Sequence, residues 1–279
     1  PSRLDYLTLH NTKVIVLLRN RKKRIKIVVF LSSIMMKFGL LGKHLSHSFS
    51  QRFFEAHFKE SQQRATYELI EIDSSHALKK FVRDDILGYH GLNVTIPFKE
   101  TVIEYLDELS PEAKAIGAVN TIKIFPNGKT KGFNTDAYGF RQSIKPFLDL
   151  NHYRAVILGT GGAAKAVEHV LKELGLDVFF ISRNPSGPRQ FSYQEINEQM
   201  LSSCKMVINC TPVGMFPNVE DVVDFPFSYL DKKHLVVDLI YNPSETLFLK
   251  KAREQAAIVL NGSTMLHQQA LKSWEIWNQ

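Results

Sequence analysis

Three glycines, Gly159, Gly161 and Gly162, stand between a short apolar run at residues 155–158 and a stretch whose apolar residues recur at Val167, Val170, Leu171 and Leu174. The first run reads as a buried strand and the second as one face of a helix. Glycine at such a junction lets the chain turn tightly and lets a bulky anion approach the backbone, while the N–H groups and dipole of the following helix favour negative charge. The chemistry this suits is binding of a dinucleotide pyrophosphate. The spacing is Gly-x-Gly-Gly-Ala-Ala rather than the commoner G-x-G-x-x-G, and an empty glycine turn of an α/β domain would read alike on this stretch alone. A second apolar run, residues 176–181, ends roughly 20 positions past the first glycine, where an acid would bind the ribose 2′-OH of NAD. The residues there are Ser182, Arg183 and Asn184. A guanidinium suits a 2′-phosphate by charge and by its planar fork of donors, which favours NADP over NAD.

Polar side chains interrupt apolar runs at four other places. In residues 91–99, Asn93 and Thr95 alternate with Leu92, Val94 and Ile96, and Pro97 precedes Lys99. Pro97 ends this strand or confines it to an edge, which puts Lys99 on a loop or first helical turn at the strand's C-terminal end, where open α/β sheets bind ligands. Most lysines are solvated surface cations; the polar residues on one side of this strand argue for chemistry instead. Residues 117–122 read as another strand that carries Asn120 and Thr121, and Asn127-Gly128 marks a hairpin turn. Asp136 either caps the helix running through Phe140, Ile144 and Phe147 or faces a site. Ser48 and Ser50 stand at the mouth of a helix carrying Phe53, Phe54, His57 and Phe58, where hydroxyls serve as caps or hold a small carboxylate. His44 and His47 have no nearby thiol or carboxylate, and Cys204 and Cys210 lack paired metal spacing, so no metal is expected.

Two domains suit the 279 residues. Apolar content of 44% and charged content of 23% are those of an ordinary globular chain. The net charge of +7 might suggest a nucleic-acid or membrane partner, but residues 1–35 hold eight Lys and Arg against Asp5 alone, which accounts for all of it. The balanced remainder argues against both partners. Arg19 to Lys26, followed by an apolar stretch to Met36, mimics a secretion signal, yet that stretch is about ten residues where a bilayer needs ~20. Residues 1–35 are therefore expected to be a non-native or disordered extension ahead of a first strand at residues 38–41. Two cysteines without a framework imply thiols in a reducing compartment.

Taken together, these stretches resemble the shikimate dehydrogenase family, in order from Met36 to about Trp277. The family's His-Ser-x-Ser-Pro appears as His47-Ser48-Phe49-Ser50-Gln51, its Asn-Val-Thr-Ile-Pro-His-Lys as residues 93–99, its Gly-Ala-x-Asn-Thr as 117–121, and its Asn-Thr-Asp-x-x-Gly as 134–139. The glycine loop, residues 209–215, Tyr241-Asn242-Pro243 and residues 265–270 also match. Gln51 and Phe98 replace the usual proline and histidine, Ser182-Arg183-Asn184 stands for Asn-Arg-Thr, and Arg189 is the candidate second phosphate-binding cation.

The resemblance implies an α/β fold of two domains: an open α/β substrate-binding domain, residues 36–135 plus 262–279, and a Rossmann-like NADP-binding domain, residues 136–261, inserted before the C-terminal helix. Leu266, Ala270, Trp274 and Trp277 would pack that helix on the first domain and bring Gln269 to the cleft, with hinge closure between the domains. The implied activity is reversible NADPH-dependent reduction of 3-dehydroshikimate to shikimate, in chorismate and aromatic amino-acid biosynthesis. Lys99 would move the proton with Asp136 as its orienting partner. Ser48 and Ser50 would bind the substrate carboxylate with Tyr241 nearby, while Asn93, Thr95, Asn120 and Gln269 would fix its hydroxyls and ketone. Gly159, Thr160, Gly161, Gly162, Ala163, Ser182, Arg183, Asn184, Thr211 and Gly262 would hold the NADP. The family implies a cytoplasmic monomer or homodimer. An NAD-dependent quinate/shikimate dehydrogenase and a non-catalytic nucleotide-binding sensor on the same scaffold are the alternatives.

Overall fold

Runs of β-branched and aromatic residues build two six-stranded sheets. The computed structural model describes residues 35–45 and 48–279, and ahead of them the backbone of three strands, β1 (Asp5–Leu7), β2 (Lys13–Asn20) and β3 (Lys23–Phe30), paired antiparallel in a small separate sheet. Apart from those strands and Met35, the expectation for residues 1–35 lies outside the described residues, as does His47.

The first sheet contains β4 (Met36–Gly42), β5 (Ala65–Glu71), β6 (Gly91–Val94), β7 (Glu108–Leu109), β8 (Thr121–Ile124) and β9 (Thr130–Phe133), in the order β5-β4-β6-β8-β9-β7. Strands β4, β5 and β6 run parallel, and β8 runs antiparallel to both β6 and β9. Because β6 lies between β4 and β8, Pro97 ends a central strand rather than marking an edge. The hairpin turn at Asn127-Gly128 joins β8 to β9, with Gly128 at φ 82°. The strand expected over 117–122 begins instead at Thr121. Gly117, at φ 71°, closes a short helix, α3 (Pro111–Ile116), which Ser110 caps. A left-handed residue that ends a helix leaves too few positions for a strand from 117. Helices α1 (Phe49–Glu60) and α2 (Ser75–Asp84) cover the faces, α2 through Leu78 and α1 through Phe54 and Phe58.

The second sheet, β12-β11-β10-β13-β14-β15, is parallel throughout: β10 (Arg154–Leu158), β11 (Asp177–Ile181), β12 (Gln190–Phe191), β13 (Met206–Asn209), β14 (Leu235–Asp238) and β15 (Ile258–Leu260). All residues of β13 and β14 are buried, as expected for strands covered on both faces. On one face α4 (Thr135–Ile144) and α5 (Gly162–Glu173) pack Phe140, Val167 and Val170 on Ile157 and Ile208. On the other, α6 (Glu198–Ser203) and α7 (Leu247–Glu254) pack Leu201, Phe248 and Leu249 on Val156 and Val207. Strand order reverses between β10 and β13, the point where such sheets open a crevice for ligand.

The C-terminal helix α8 (Ser263–Asn278) returns the chain to the first sheet. Trp277 lies over Gly91, stacks on Phe38 at 4.8 Å and donates its indole N–H to the Ile122 carbonyl at 2.9 Å. Helices α4 and α8 approach backbone to backbone: a Cβ added at Gly139 would stand 2.4 Å from the Met265 carbonyl oxygen. Since α4 also packs on α5, it joins the two sheets.

Candidate active site

The chain leaves β6 at Val94 and turns through residues 96–100, a turn anchored where the Lys99 carbonyl accepts from the Val119 N–H at 2.7 Å. Helix α4 starts under a different cap from the one the sequence left open. Asn134 Oδ1 accepts from the Ala137 N–H at 3.1 Å, and its amide donates to the Ala118 carbonyl. Asp136 is thus relieved of capping, and from the first turn it faces Lys99. Lys99 Nζ donates to Asp136 Oδ2 at 2.6 Å, with side-chain exposures of 15% and 9%, so the pair is largely shielded from water. The helix N-terminus favours the carboxylate's charge.

Behind the pair lies a buried polar network. Asn120 Nδ2 donates to Asp136 Oδ1 at 2.9 Å, and Asn120 Oδ1 accepts from the Thr135 N–H at 2.7 Å. Gln269, carried by α8 as expected, points its Oδ-equivalent carbonyl, Oε1, at Asn120 Nδ2 and Thr135 Oγ1, both at 3.4 Å. Asn93 Nδ2 donates to Thr121 Oγ1 at 3.2 Å and Ser273 Oγ at 3.0 Å, while its Oδ1 accepts from the Tyr67 hydroxyl at 2.7 Å. Ser50 is buried in the first turn of α1 and bonds to Tyr67, whose phenol burial pushes well above its ordinary range. Ser48 is the α1 cap: its Oγ accepts from the Gln51 N–H at 3.3 Å, and its own O–H remains to donate. Tyr241 reaches α1 from the loop after β14, with its ring 5.9 Å from that of Phe49.

A cleft of about 860 Å³ runs along the C-terminal ends of the parallel strands. Thr95 and Lys99 form part of one wall; Gly159, Thr160, Gly161, Gly162 and Ala163 form its floor; Ser182, Arg183 and Thr211 lie beyond. Its volume suits a ligand of dinucleotide size. Gly159 sits at φ +96°, and a Cβ there would come within 3.1 Å of Thr211 Cγ2. A Cβ on Gly161 would meet nothing within 4 Å, while one on Gly162 would stand 3.4 Å from Lys99 Cβ. Gly161 caps α5 without a side chain, which leaves the first-turn N–H groups for an anion. Arg183 is exposed on the wall beside Tyr193; burial raises that phenol and the guanidinium opposes the rise. These features fit an NADP. Across the cleft mouth Lys165 Nζ meets Glu100 Oε2 at 2.6 Å.

Not every expected cofactor contact lines this cleft. Asn184 lies outside it, with its N–H donating to Ser182 Oγ at 3.2 Å. Gly262 also lies outside: its N–H donates to the Ile240 carbonyl at 3.0 Å, and a Cβ there would collide with the Leu239 carbonyl oxygen. Arg189 is a correction. Its guanidinium pairs with Asp177 at 3.2 Å, at the N-terminal end of β11 and so at the wrong end of the sheet for the phosphate. Sequence reasoning missed Tyr67, Ser273 and the cleft residues Ile96, Tyr193 and Val213. Ser273 carried a signal, four positions after Gln269 on one helical face. Among the described residues no cluster of His, Cys, Asp and Glu could hold a metal, and no helix is long and apolar enough to cross a membrane.

Comparison with known proteins bears on this arrangement. Residues 40–122 match the family model of the shikimate dehydrogenase substrate binding domain. The chain is similar to the shikimate dehydrogenase (NADP(+)) of Clostridium beijerinckii, 38% identical over 252 residues, covering 87% of this chain and 92% of that protein. Its fold is similar to a shikimate 5-dehydrogenase from Thermus thermophilus solved with NADP(H) and shikimate, at TM-score 0.75 and 30% identity, over 87% of this chain and 93% of that one. It is also similar to a quinate dehydrogenase from Corynebacterium glutamicum solved with NAD, at TM-score 0.77 and 30% identity, with the same coverage of each.

Proposed function

The chain belongs to the shikimate dehydrogenase (NADP+) family, and on that premise we propose how its residues perform the reversible, NADPH-dependent reduction of 3-dehydroshikimate to shikimate in the shikimate pathway. The nicotinamide supplies hydride chemistry when bound. What remains for the protein is to hold the ring ketone in place and to move one proton. Lys99 Nζ gives that proton to the carbonyl oxygen in reduction and takes it back from the hydroxyl in oxidation. Asp136 orients the ammonium through Oδ2, and Asn120 holds Asp136 through Oδ1. Ser48 and Ser50 receive the substrate carboxylate beside Tyr241, and Thr95, Asn93, Asn120 and Gln269 read the hydroxyls. A shell of buried polar groups rejects analogues lacking a hydroxyl, because its own members would then be left unpaired. Gly159 to Ala163 and Thr211 take the pyrophosphate side of the cofactor, and Arg183 takes the 2′-phosphate.

The observation that carries this reading is the meeting of its two halves: the stem of Lys99, whose ammonium pairs with Asp136, stands against Gly162 of the glycine loop. The reading brings with it a cytoplasmic setting, in which Cys204 and Cys210 stay unpaired, and a monomer or homodimer. The likeness to an NAD-bound quinate dehydrogenase keeps that specificity as the second reading. The test is oxidation of shikimate and of quinate, each with NADP+ and with NAD+, by the purified protein. Highest kcat/KM for shikimate with NADP+ is expected; quinate with NAD+ in first place would overturn the assignment to Arg183.

A further inference from the structure

One fully buried acid plays no part in the mechanism above. Asp238 ends β14 at zero exposure, at the C-terminal edge of the parallel sheet, and accepts hydrogen bonds from three uncharged donors on three segments. Asn209 Nδ2, at the end of β13, donates to Oδ1 at 3.1 Å; the Ile240 N–H donates to Oδ1 at 3.1 Å; the Thr246 hydroxyl donates to Oδ2 at 2.6 Å. A buried carboxylate without a cation among these donors is costly, and burial pushes its pKa up to about 6.

These bonds also have a direction. Both carboxylate oxygens only accept, so Asn209 must turn its NH2 toward Asp238 and its Oδ1 away from it. That Oδ1 then accepts from Thr211 twice, from the hydroxyl at 2.7 Å and the N–H at 3.0 Å. With its proton committed to Asn209, the Thr211 hydroxyl accepts from the Val213 N–H at 3.3 Å. Thr211 and Val213 both line the cleft, and Thr211 packs on Gly159. Through the same Oδ1 Asp238 fixes the turn at Ile240, whose carbonyl receives the Gly262 N–H, and Tyr241 follows at once toward Phe49.

We propose that Asp238 is a positioning residue for the reaction: by holding Asn209, at the head of the relay to Thr211, and the Ile240 N–H in the turn before Tyr241 on one oxygen, it keeps the cofactor-side and substrate-side loops in register. This rests on the reading of the cleft as the NADP site and of Tyr241 as part of the substrate site. Asp238→Ala takes the acceptor from Asn209 Nδ2 and the Ile240 N–H together, whereas Asp238→Asn keeps it, because the Ile240 N–H holds the amide oxygen at the Oδ1 position; the loss is therefore expected in Asp238→Ala, with binding close to wild type in Asp238→Asn. The expected result in Asp238→Ala is a Kd for NADP+, measured by calorimetry without substrate, weakened about five- to tenfold, the equivalent of one hydrogen bond. KM for NADP+ and for shikimate rise together, while kcat at saturation changes less. Thr246→Val removes the donor on Oδ2, which takes no part in the relay; it lowers Tm and leaves Kd unchanged. Thr211→Val weakens NADP+ binding by itself, and adding Asp238→Ala to it costs little more, since both act through one relay. Unchanged Kd in Asp238→Ala, or an equal loss in Thr246→Val, would reduce Asp238 to a purely structural group and overturn the proposal. Wild type that fails to bind NADP+ would overturn the cleft reading and the proposal together.

Discussion

Replacing Asp136 by asparagine changes one charge and almost no volume, so its consequences follow from counting donors. Asp136 accepts from Lys99 Nζ through Oδ2 at 2.6 Å and from Asn120 Nδ2 through Oδ1 at 2.9 Å. An amide offers one oxygen to these two donors and points its NH2 at whichever it does not serve. One donor is left unsatisfied, at about 1–3 kcal/mol. The ammonium also loses its counter-charge; breaking a fully buried pair costs about 3–5 kcal/mol. Lys99 retains 15% exposure at the cleft wall, where water relieves part of that, so a total near the low end of the sum, about 4 kcal/mol, is expected. Urea unfolding followed by the fluorescence of Trp274 and Trp277 measures it. The informative variant is the double one: in Asp136→Asn the ammonium is uncompensated, and Lys99→Met removes it, so the double variant should be more stable than the sum of the singles by about 1–3 kcal/mol. In kinetics each single variant should lose roughly 100-fold or more in kcat, and the double should be little worse than Lys99→Met. Stabilities that add to within about 0.5 kcal/mol would refute the coupling.

Arg183→Gln should raise KM for NADP+ by roughly 10- to 100-fold, the loss of charge-assisted hydrogen bonds, and leave KM for NAD+ nearly unchanged; equal losses for both cofactors would take the 2′-phosphate away from Arg183. Gly139→Ala places a methyl 2.4 Å from the Met265 carbonyl oxygen and 3.1 Å from Gln269 Cβ. Parting α4 from α8 should cost about 1–3 kcal/mol, seen as a lower Tm, and raise KM for shikimate as Gln269 withdraws from Asn120. The folded chain keeps the Asp238 proton up to about pH 6, whereas a free carboxyl releases it near 3.8, so between these values the folded state binds more protons and stability falls as pH rises. That contribution is about 3 kcal/mol across the window. Urea midpoints measured from about pH 4 to pH 7 should show Asp238→Asn gaining on wild type as pH rises; parallel curves would assign the slope to other groups.

The parts of the site that were legible in the sequence are those where chemistry restricts residue type. The left-handed backbone at Gly159 and the approach of Gly162 to Lys99 restrict residue type in the floor, and a run that keeps Asn93 and Thr95 among Leu92, Val94 and Ile96 announces a polar cluster at its end. The rest depended on choices that local pattern leaves open. Asn134 and Asp136 are equally good caps by type; the contact of Asn134 with the Ala118 carbonyl decides between them, and this frees Asp136 for Lys99. Arg189 lay within reach of the phosphate by position alone, but a left-handed backbone at φ 64° sends its side chain to Asp177. Helix α3 was hidden by the apolar run after it, although Ser110-Pro111 carried a start signal of cap plus first-turn proline. Ser273 meets Asn93 from 180 positions away and Tyr67 from 26, beyond any helical or strand window in which a local pattern could show the contact.

The central claim is that the ammonium at Lys99 Nζ moves the proton at a ketone held against the glycine-loop cleft. It is tested most directly by shikimate oxidation in wild type and Lys99→Ala, followed by NADPH absorbance, with NADP+ affinity measured in parallel by calorimetry. The account predicts that wild type turns over and that Lys99→Ala loses roughly 100- to 10,000-fold in kcat with NADP+ binding retained. A kcat within about tenfold of wild type, in a variant that still binds NADP+, would contradict it.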